Sequence, residues 1–464
     1  MRTFYGIAAV CALLVFPLPS ARAEGGDAWQ VLFTMLPARI STELAGLNIP
    51  LYILKQTHEP LLRQDDGQNF RSKILTSWSR NINSTEYAFC PDTSRSFDKD
   101  HPFSVAYLHG FIHSRTQAFD PSFTITETSA CVKVKFTQKQ TKYLSFLSLY
   151  DNAPTLKLID GNEAGLGEFR LTQLTKEEIT LIRKHRVSNG YNAVICRLYR
   201  GVSDPNLQNR EITDFNRIPE TDIPEWVPKQ SYSFVNMVLK VAVLALNVND
   251  EKLRKLVFNC LDIQKLREAF YPHKKSFVQI QTVFPVGISG AKAGAPLQNC
   301  TKEKFRGTTE LIFTAWRPYT AEAFKEYFKE FKRRYGVGIK VKVMAPSEFL
   351  QTALERPHPY NLTIIGLDAT RPNYSAFLDG ILPKDGFFDF DMPILAAEYE
   401  NMRRESDAVI QTKLASALAD EISDRSLLLP LYQDQRVFYY PSKIKNVIVG
   451  REFLEYPEVA DFQW

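Results

Sequence analysis

The chain has 464 residues, 57 Lys and Arg against 52 Asp and Glu for a formal net charge of +5, and 44% hydrophobic residues. A chain of this length has core for two or three compact units, which excludes a single small domain. Its near balance of charge excludes the strongly basic surface that holds nucleic acid.

Residues 1–23 set the compartment. Arg2 supplies a positive start, residues 4–18 form an apolar run, and Ala21-Arg22-Ala23 before Glu24 is a small-x-small cleavage pattern. A secretory signal peptide cleaved after Ala23 and an exported, soluble mature protein are expected. Cys11 lies inside the apolar run instead of directly after it, so no lipid anchor is expected. The run is also shorter than the roughly 20 residues a spanning helix needs. Removing Arg2 and Arg22 with the leader leaves 55 basic against 52 acidic residues. Five cysteines remain: Cys90, Cys131, Cys196, Cys260 and Cys300. An odd count leaves at least one thiol free, the spacings fix no pairing, and no CxxC occurs.

In chain order, residues 27–77 open with an expected helix and continue as a helical or extended run to Trp78. In residues 79–149, strand-like pieces at 85–89, 122–126 and 132–137 surround an expected helix at 102–112, which reads as an α+β zone. Gly165-Leu166-Gly167 is expected to be a tight turn entering a strand. Strands resume over 165–183 and 193–199, and 218–228 is proline-rich and loop-like. Residues 250–270 carry apolar positions at helical spacing, and 277–286 are largely apolar before the glycine-rich stretch 287–295.

The next elements alternate: a strand at 311–316, a helix at 320–335, a β-branched strand at 338–344, a short helix after Ser347 and a strand at 362–365. Alternation of this kind predicts a parallel sheet. The basic run 329–334 falls in the last turns of its helix, where cations complement the dipole, with Gly336 following as a C-cap. Asp368 follows the last strand at its carboxyl end, the place where open α/β sheets bind ligands.

Patterns for chemistry are missing. His109 and His113 stand at i, i+4 on an expected helix, but no further histidine or acidic partner completes a metal pattern. There is no GxSxG elbow, no phosphate-binding GxxxxGK[ST] and no GxGxxG after a strand, so no catalytic residue, metal ligand or cofactor is assigned.

Several segments, in order, resemble the extracytoplasmic solute-binding proteins of peptide-type ABC transporters (family 5, oligopeptide- and dipeptide-binding-like). Thr57-His58-Glu59-Pro60-Leu61-Leu62 is similar to the family's "YEGLV", followed by Asp65-Asp66-Gly67 and then Ile74-Leu75-Thr76-Ser77-Trp78 in place of "LAESW". His101-Pro102-Phe103-Ser104-Val105 resembles "TPFTAEDV" without its acidic pair. Gly165-Leu166-Gly167-Glu168-Phe169 is similar to "GTGPY", and the helix at 250–270 to "VRQALSYAIDR". Residues 410–432 resemble the long helix entering a "P-L-Y" strand, here Pro430-Leu431-Tyr432.

The resemblance implies an α/β, two-lobed periplasmic binding protein fold with an extra α+β subdomain inserted in the first lobe. Residues 24–245 would form the first lobe, with the insert at about 79–150. Residues 246–439 would form the second lobe, and 440–464 would return to the first, with 437–440 recrossing the hinge. A ligand would be enclosed by hinge closure. In peptide-binding members a "GW…D…P" segment carries an aspartate that holds the ligand's α-amino group. Gly366-Leu367-Asp368-Ala369-Thr370-Arg371-Pro372 places Asp368 at the matching distance from its proline, with Leu367 where tryptophan is usual and a segment about two residues shorter.

The implied ligand-binding residues are therefore Asp368, Glu59, Arg371, Gly366 and Leu367, with Trp316 and Tyr374 as flat walls. The implied partners are a small peptide or other polar solute and an inner-membrane ABC permease, with the protein acting as a monomer and with no nucleic acid. Two other classes fit the residues: a secreted two-lobed hydrolase, and a non-transport protein that presents a ligand to a sensor.

Overall fold

The computed structural model describes residues 27–45, 48–64, 69–271, 277–288, 291–301, 303–307, 309–315, 320–345, 348–349, 352, 355–368, 377–378, 381–382, 392–405, 407–445 and 457–464. The signal-peptide expectation for residues 1–23 lies outside them.

The first half runs β1 (Ala28–Phe33), α1 (Asn48–Thr57), β2 (Arg63–Gln64), β3 (Phe70–Arg71), β4 (Leu75–Arg80), β5 (Glu86–Pro91), α2 (Val105–Phe119), β6 (Phe123–Glu127), β7 (Val132–Phe136) and α3 (Tyr143–Phe146). It continues through β8 (Thr155–Lys157), β9 (Glu163–Gly165), β10 (Phe169–Leu174), β11 (Glu178–Arg183), β12 (Ala193–Leu198) and α4 (Val227–Gln230) to the long β13 (Ser231–Leu246). The second half runs α5 (Glu251–Cys260), α6 (Ile263–Phe270), β14 (Glu310–Ala315), α7 (Ala321–Tyr335), β15 (Gly338–Val343), β16 (Leu362–Asp368), α8 (Pro393–Arg404), α9 (Ala408–Asp424) and β17 (Leu428–Pro441). Among the described residues no helix is long and apolar enough to cross a membrane.

The helix expected at the start of the mature chain is instead β1. Trp29, Val31, Leu32 and Phe33 are all buried, and the strand runs parallel to β12 in the sheet β1-β12-β11-β10. A strand buried on both faces shows a continuous apolar run without alternation, so periodicity does not identify it. Residues 250–270 likewise form two helices instead of one. Leu261 is extended, and the Asp262 side chain accepts from Lys265 N and starts α6 afresh.

Over residues 75–136, β4, β5, β7 and β6 form an antiparallel sheet that packs on α2. Its core, centred on Tyr87, Phe89, Phe103 and Tyr143, reaches from Leu61 to Leu166. A Cys90–Cys131 disulfide closes one end of the ladder between the two central strands, β5 and β7, and a Cys260–Cys300 disulfide lies in the second half. With sequence separations of 41 and 40 residues, each contributes about 4 kcal/mol in the chain-entropy account. Cys196 is a buried free thiol in the core of the β1 sheet.

The second sheet has the order β15-β14-β16-β13-β17. Its β15, β14 and β16 are parallel as alternation predicts, whereas β13 and β17 add on antiparallel. On one face α7 buries Phe324, Phe328 and Phe331, and it ends at Gly336 in the left-handed region (φ 79°) with Lys332, Arg333 and Arg334 in its last turn. The basic run is thus a helix terminus.

Two of the resemblance segments meet just past the end of α1. Gly167 N donates to Thr57 O at 2.9 Å, and the Gly165-Leu166-Gly167 turn lies against the His58 ring. A Cβ on Gly167 would sit 2.5 Å from Thr57 C and 2.7 Å from His58 N, both backbone atoms. Gly167→Ala is therefore expected to lower stability by about 1–3 kcal/mol, the usual cost of overpacking, measured by urea unfolding.

His58 itself is fully buried. Its Nδ1 shares a 2.8 Å hydrogen bond with the Thr57 hydroxyl, its Nε2 has no hydrogen-bond partner among the described residues, and Lys184 lies near. Burial, reinforced by the Lys184 charge, pushes the imidazole from 6.5 down to about 3. The unfolded chain then binds a proton between about pH 6.5 and 3 that the folded chain refuses, so this contribution is intact above pH 6.5 and is lost on acidification through that window. It amounts to ~5 kcal/mol at full extent. In His58→Gln the fall in unfolding free energy between pH 7 and pH 4 is expected to be shallower by most of one proton, whatever the variant's stability at pH 7. An unchanged slope in urea titrations would refute the assignment.

Candidate functional site

Two strands connect the core on the β1 sheet with the core on the second sheet, called below the first-lobe and second-lobe cores. The ladder between β13 and β17 extends from Ser231↔Pro441 to Ala245↔Leu428. At one end Phe438 and Tyr440 are buried with Trp29 and Tyr52 in the first-lobe core. At the other, Leu244, Leu246, Leu429 and Leu431 belong to the second-lobe core. Between these ends the register shifts, from Met237 opposite Gln435 to Val241 opposite Gln433.

The same place receives the end of β16. Its backbone pairs with β13 from Leu246↔Leu362 to Lys240↔Asp368, which sets the Asp368 main chain beside the register shift. Gly366 is exposed and Leu367 is half-buried against the second-lobe core. The Asp368 side chain, Trp316, Arg371 and Tyr374 lie outside what the structure describes.

Gln433 holds the crossing from the other side. It is fully buried, its main chain exchanges hydrogen bonds with Val278, and its amide accepts from Val286 N (2.8 Å) and donates to Val286 O (3.1 Å). Nothing in the sequence marks this glutamine, because an amide's value here depends on backbone groups brought to it by folding.

Glu59 is 4% exposed, and both its oxygens accept from the Arg63 guanidinium. The same guanidinium bonds Glu458, whose other oxygen takes Lys73 Nζ at 3.2 Å, and Lys73 also reaches Asp461 at 3.4 Å. Glu59 is thus a member of an ion-pair network that ties residues 59–73 to the C-terminal segment 457–464. Burial of Glu458 opposes its ionisation, but the charges of Arg63, Lys73 and Lys55 outweigh it and hold the carboxyl down to about 2. At Glu59 burial wins over Arg63 and the carboxyl is raised. The i, i+4 spacing of Glu59 and Arg63 is visible in the sequence, whereas no signal points to Glu458.

His109 and His113 lie on α2, where His113 is exposed. No group of three metal-ligating side chains occurs among the described residues. Across the lobes, Lys142 Nζ before α3 donates to Gln411 Oε1 in α9 at 3.1 Å, and Gln411 Nε2 is held by Met402 O at 3.0 Å.

Removing Arg63 would strand two buried carboxylates. Arg63→Ala is expected to cost about 3–5 kcal/mol. Lys73→Ala, whose side chain is 35% exposed, should cost well under half of that. Equal effects of the two variants in urea unfolding would contradict the geometry.

No protein-family profile and no curated protein matches the sequence. Solved structures match in fold. A dipeptide binding protein from Pseudoalteromonas sp. SM9913 in complex with Met-Leu is 12% identical with a TM-score of 0.75, covering 91% of this chain and 97% of that one. The periplasmic binding protein DppA from Helicobacter pylori in complex with the peptide STSA is 14% identical with a TM-score of 0.72, covering 92% and 97%. NikA from Staphylococcus aureus in complex with Ni(L-His)2 is 13% identical with a TM-score of 0.72, covering 95% and 100%. The chain therefore has the two-lobed α/β fold of periplasmic binding proteins.

Proposed function

We propose that this chain is an extracytoplasmic solute-binding protein. It encloses a peptide or similar small polar solute between its lobes and passes it unaltered to an ABC permease of the inner membrane, acting as a monomer with no cofactor. The observation that carries this reading is the fold match over nine-tenths of the chain, together with the end of β16 arriving where β13 and β17 cross between the lobes. Two disulfides and an apolar leader fit an oxidising compartment outside the cytoplasm.

Each site residue takes a part in this reading. Asp368 offers a carboxylate to the ligand's ammonium, a charge-assisted hydrogen bond. Exposed Gly366 lets the ligand backbone approach, and Leu367 backs the strand against the core. Arg371 faces a ligand carboxylate, and Trp316 and Tyr374 supply flat apolar walls. Glu59 acts through Arg63, keeping the first-lobe side of the site in place. No chemical step is required, because closure stabilised only by an occupied cleft reports occupancy.

The test starts with mass spectrometry of solute released by denaturing the purified mature protein, which identifies the cognate ligand. With a peptide in hand, Asp368→Asn is expected to weaken binding by about 1.5–3 kcal/mol, roughly 10- to 150-fold, in calorimetry. Unchanged affinity removes the amine-anchor role, and recovery of a chemically altered ligand removes the binding-protein reading itself.

A further inference from the structure

A concave site of about 390 Å³ lies on the second lobe, between α6, α7 and residues 295–300. Its volume is that of a small-molecule pocket. Its walls are held before any ligand arrives. The Cys260–Cys300 disulfide staples the outer segment to α5, Gln298 Nε2 donates to Phe258 O (2.7 Å) and Leu261 O (2.9 Å), and Asn299 N donates to Asn259 Oδ1 at 2.9 Å. The Tyr327 hydroxyl accepts from Asp262 N at 2.6 Å, fixing the α6 start to α7.

The charges in this site do not cancel. Asp262 is occupied as the cap of α6, accepting from Lys265 N. Glu330 accepts from both Lys265 Nζ (3.0 Å) and Arg334. Arg267 remains: among the described residues its side chain makes no hydrogen bond or ion pair, the Asp262 and Glu268 charges act on it without direct contact, its guanidinium lies 5.0 Å from the Phe277 ring centroid, and its Nε is buried without a partner. A cation held against a ring and partly removed from water gains most from an anion that takes its terminal nitrogens as a pair. Beside it Phe331, Ile280 and Leu431 form an apolar floor.

We propose that this groove is an accessory binding site for a small organic acid, whose carboxylate meets the Arg267 guanidinium and whose apolar body lies on Phe331, Ile280 and Leu431. A phosphate dianion fits less well, since the two other cations are already shared by Glu330. The floor adjoins the crossing, because Leu431 and Ile280 each lie two residues from the Gln433–Val278 backbone pair. The proposal does not depend on what the inter-lobe cleft binds.

The probe is 4-fluorophenylacetate, followed by fluorine NMR on the full mature protein, with 4-fluorobenzyl alcohol as the uncharged analogue. Saturable millimolar binding is expected for the acid and at least about tenfold weaker binding for the alcohol. Arg267→Gln should abolish the difference between the two probes, Arg267→Lys should retain part of it, and Asp368→Asn should leave it unchanged. Thermal unfolding of the Arg267 variants checks that they fold. Absence of saturable binding, equal affinity for acid and alcohol, or loss of binding in Asp368→Asn alone would overturn the assignment.

Discussion

The antiparallel ladder of β13 and β17 is the constraint on which the other features depend. It is anchored at one end by Phe438 and Tyr440 in the first-lobe core and at the other by Leu244, Leu246, Leu429 and Leu431 in the second. Burial of these ends fixes where each strand enters its lobe, since a one-residue slip would turn every side chain to the opposite face. The β16 register follows from β13, and with it the location of the Asp368 backbone beside the crossing. The meeting of the β16 end with the two crossing strands is thus set by sheet register.

The parts of this architecture that were legible in the sequence are those with local signals. The run from the strand at 311–316 to the strand ending in Asp368 reads correctly because alternating helices and strands of ordinary length carry their own periodicity and caps, as at Gly336. The opening strand β1 was misread for a physical reason: a strand covered on both faces has no polar face to alternate with. The break at Leu261 and Asp262 hides inside a continuous helical period, where an aspartate reads as a surface residue until its side chain is seen to cap α6. Disulfide pairing was not legible, since five cysteines leave the partners open until the sheet places Cys90 beside Cys131.

The buried polar groups show the same division. Glu59 stands in a segment that resembles a ligand-facing one, yet its environment is decided by Arg63 nearby and by Glu458, which arrives from the far end of the chain. The network sets two cations, Arg63 and Lys73, against three carboxylates, and the depression of Glu458 beside the raised Glu59 shows that both cations, with Lys55 nearby, act chiefly on Glu458. Such a network is weak evidence for net stability, because desolvating the charges costs about as much as their attraction returns. Its consequence is positional: the C-terminal segment is registered against residues 59–73, on the same lobe surface that the resemblance assigns to the cleft.

The proposed function needs hinge motion, which requires that lobes be rigid and the join between them compliant, and the distribution of interactions separates these two demands. Within each lobe, sheets, aromatic clusters and a disulfide restrain the chain. At the crossing, by contrast, the ladder breaks register between Met237 and Val241, which removes regular backbone pairing over the residues that a rotation would have to twist. A small change of φ and ψ spread over those residues reorients a whole lobe while its core stays packed. Gln433 keeps that compliance from becoming disorder: its side chain holds the backbone of Val286 from within one strand of the crossing, so segment 278–286 moves with β17. A solute that satisfies groups on both sides then adds only the difference in free energy between two orientations of bodies that are already folded.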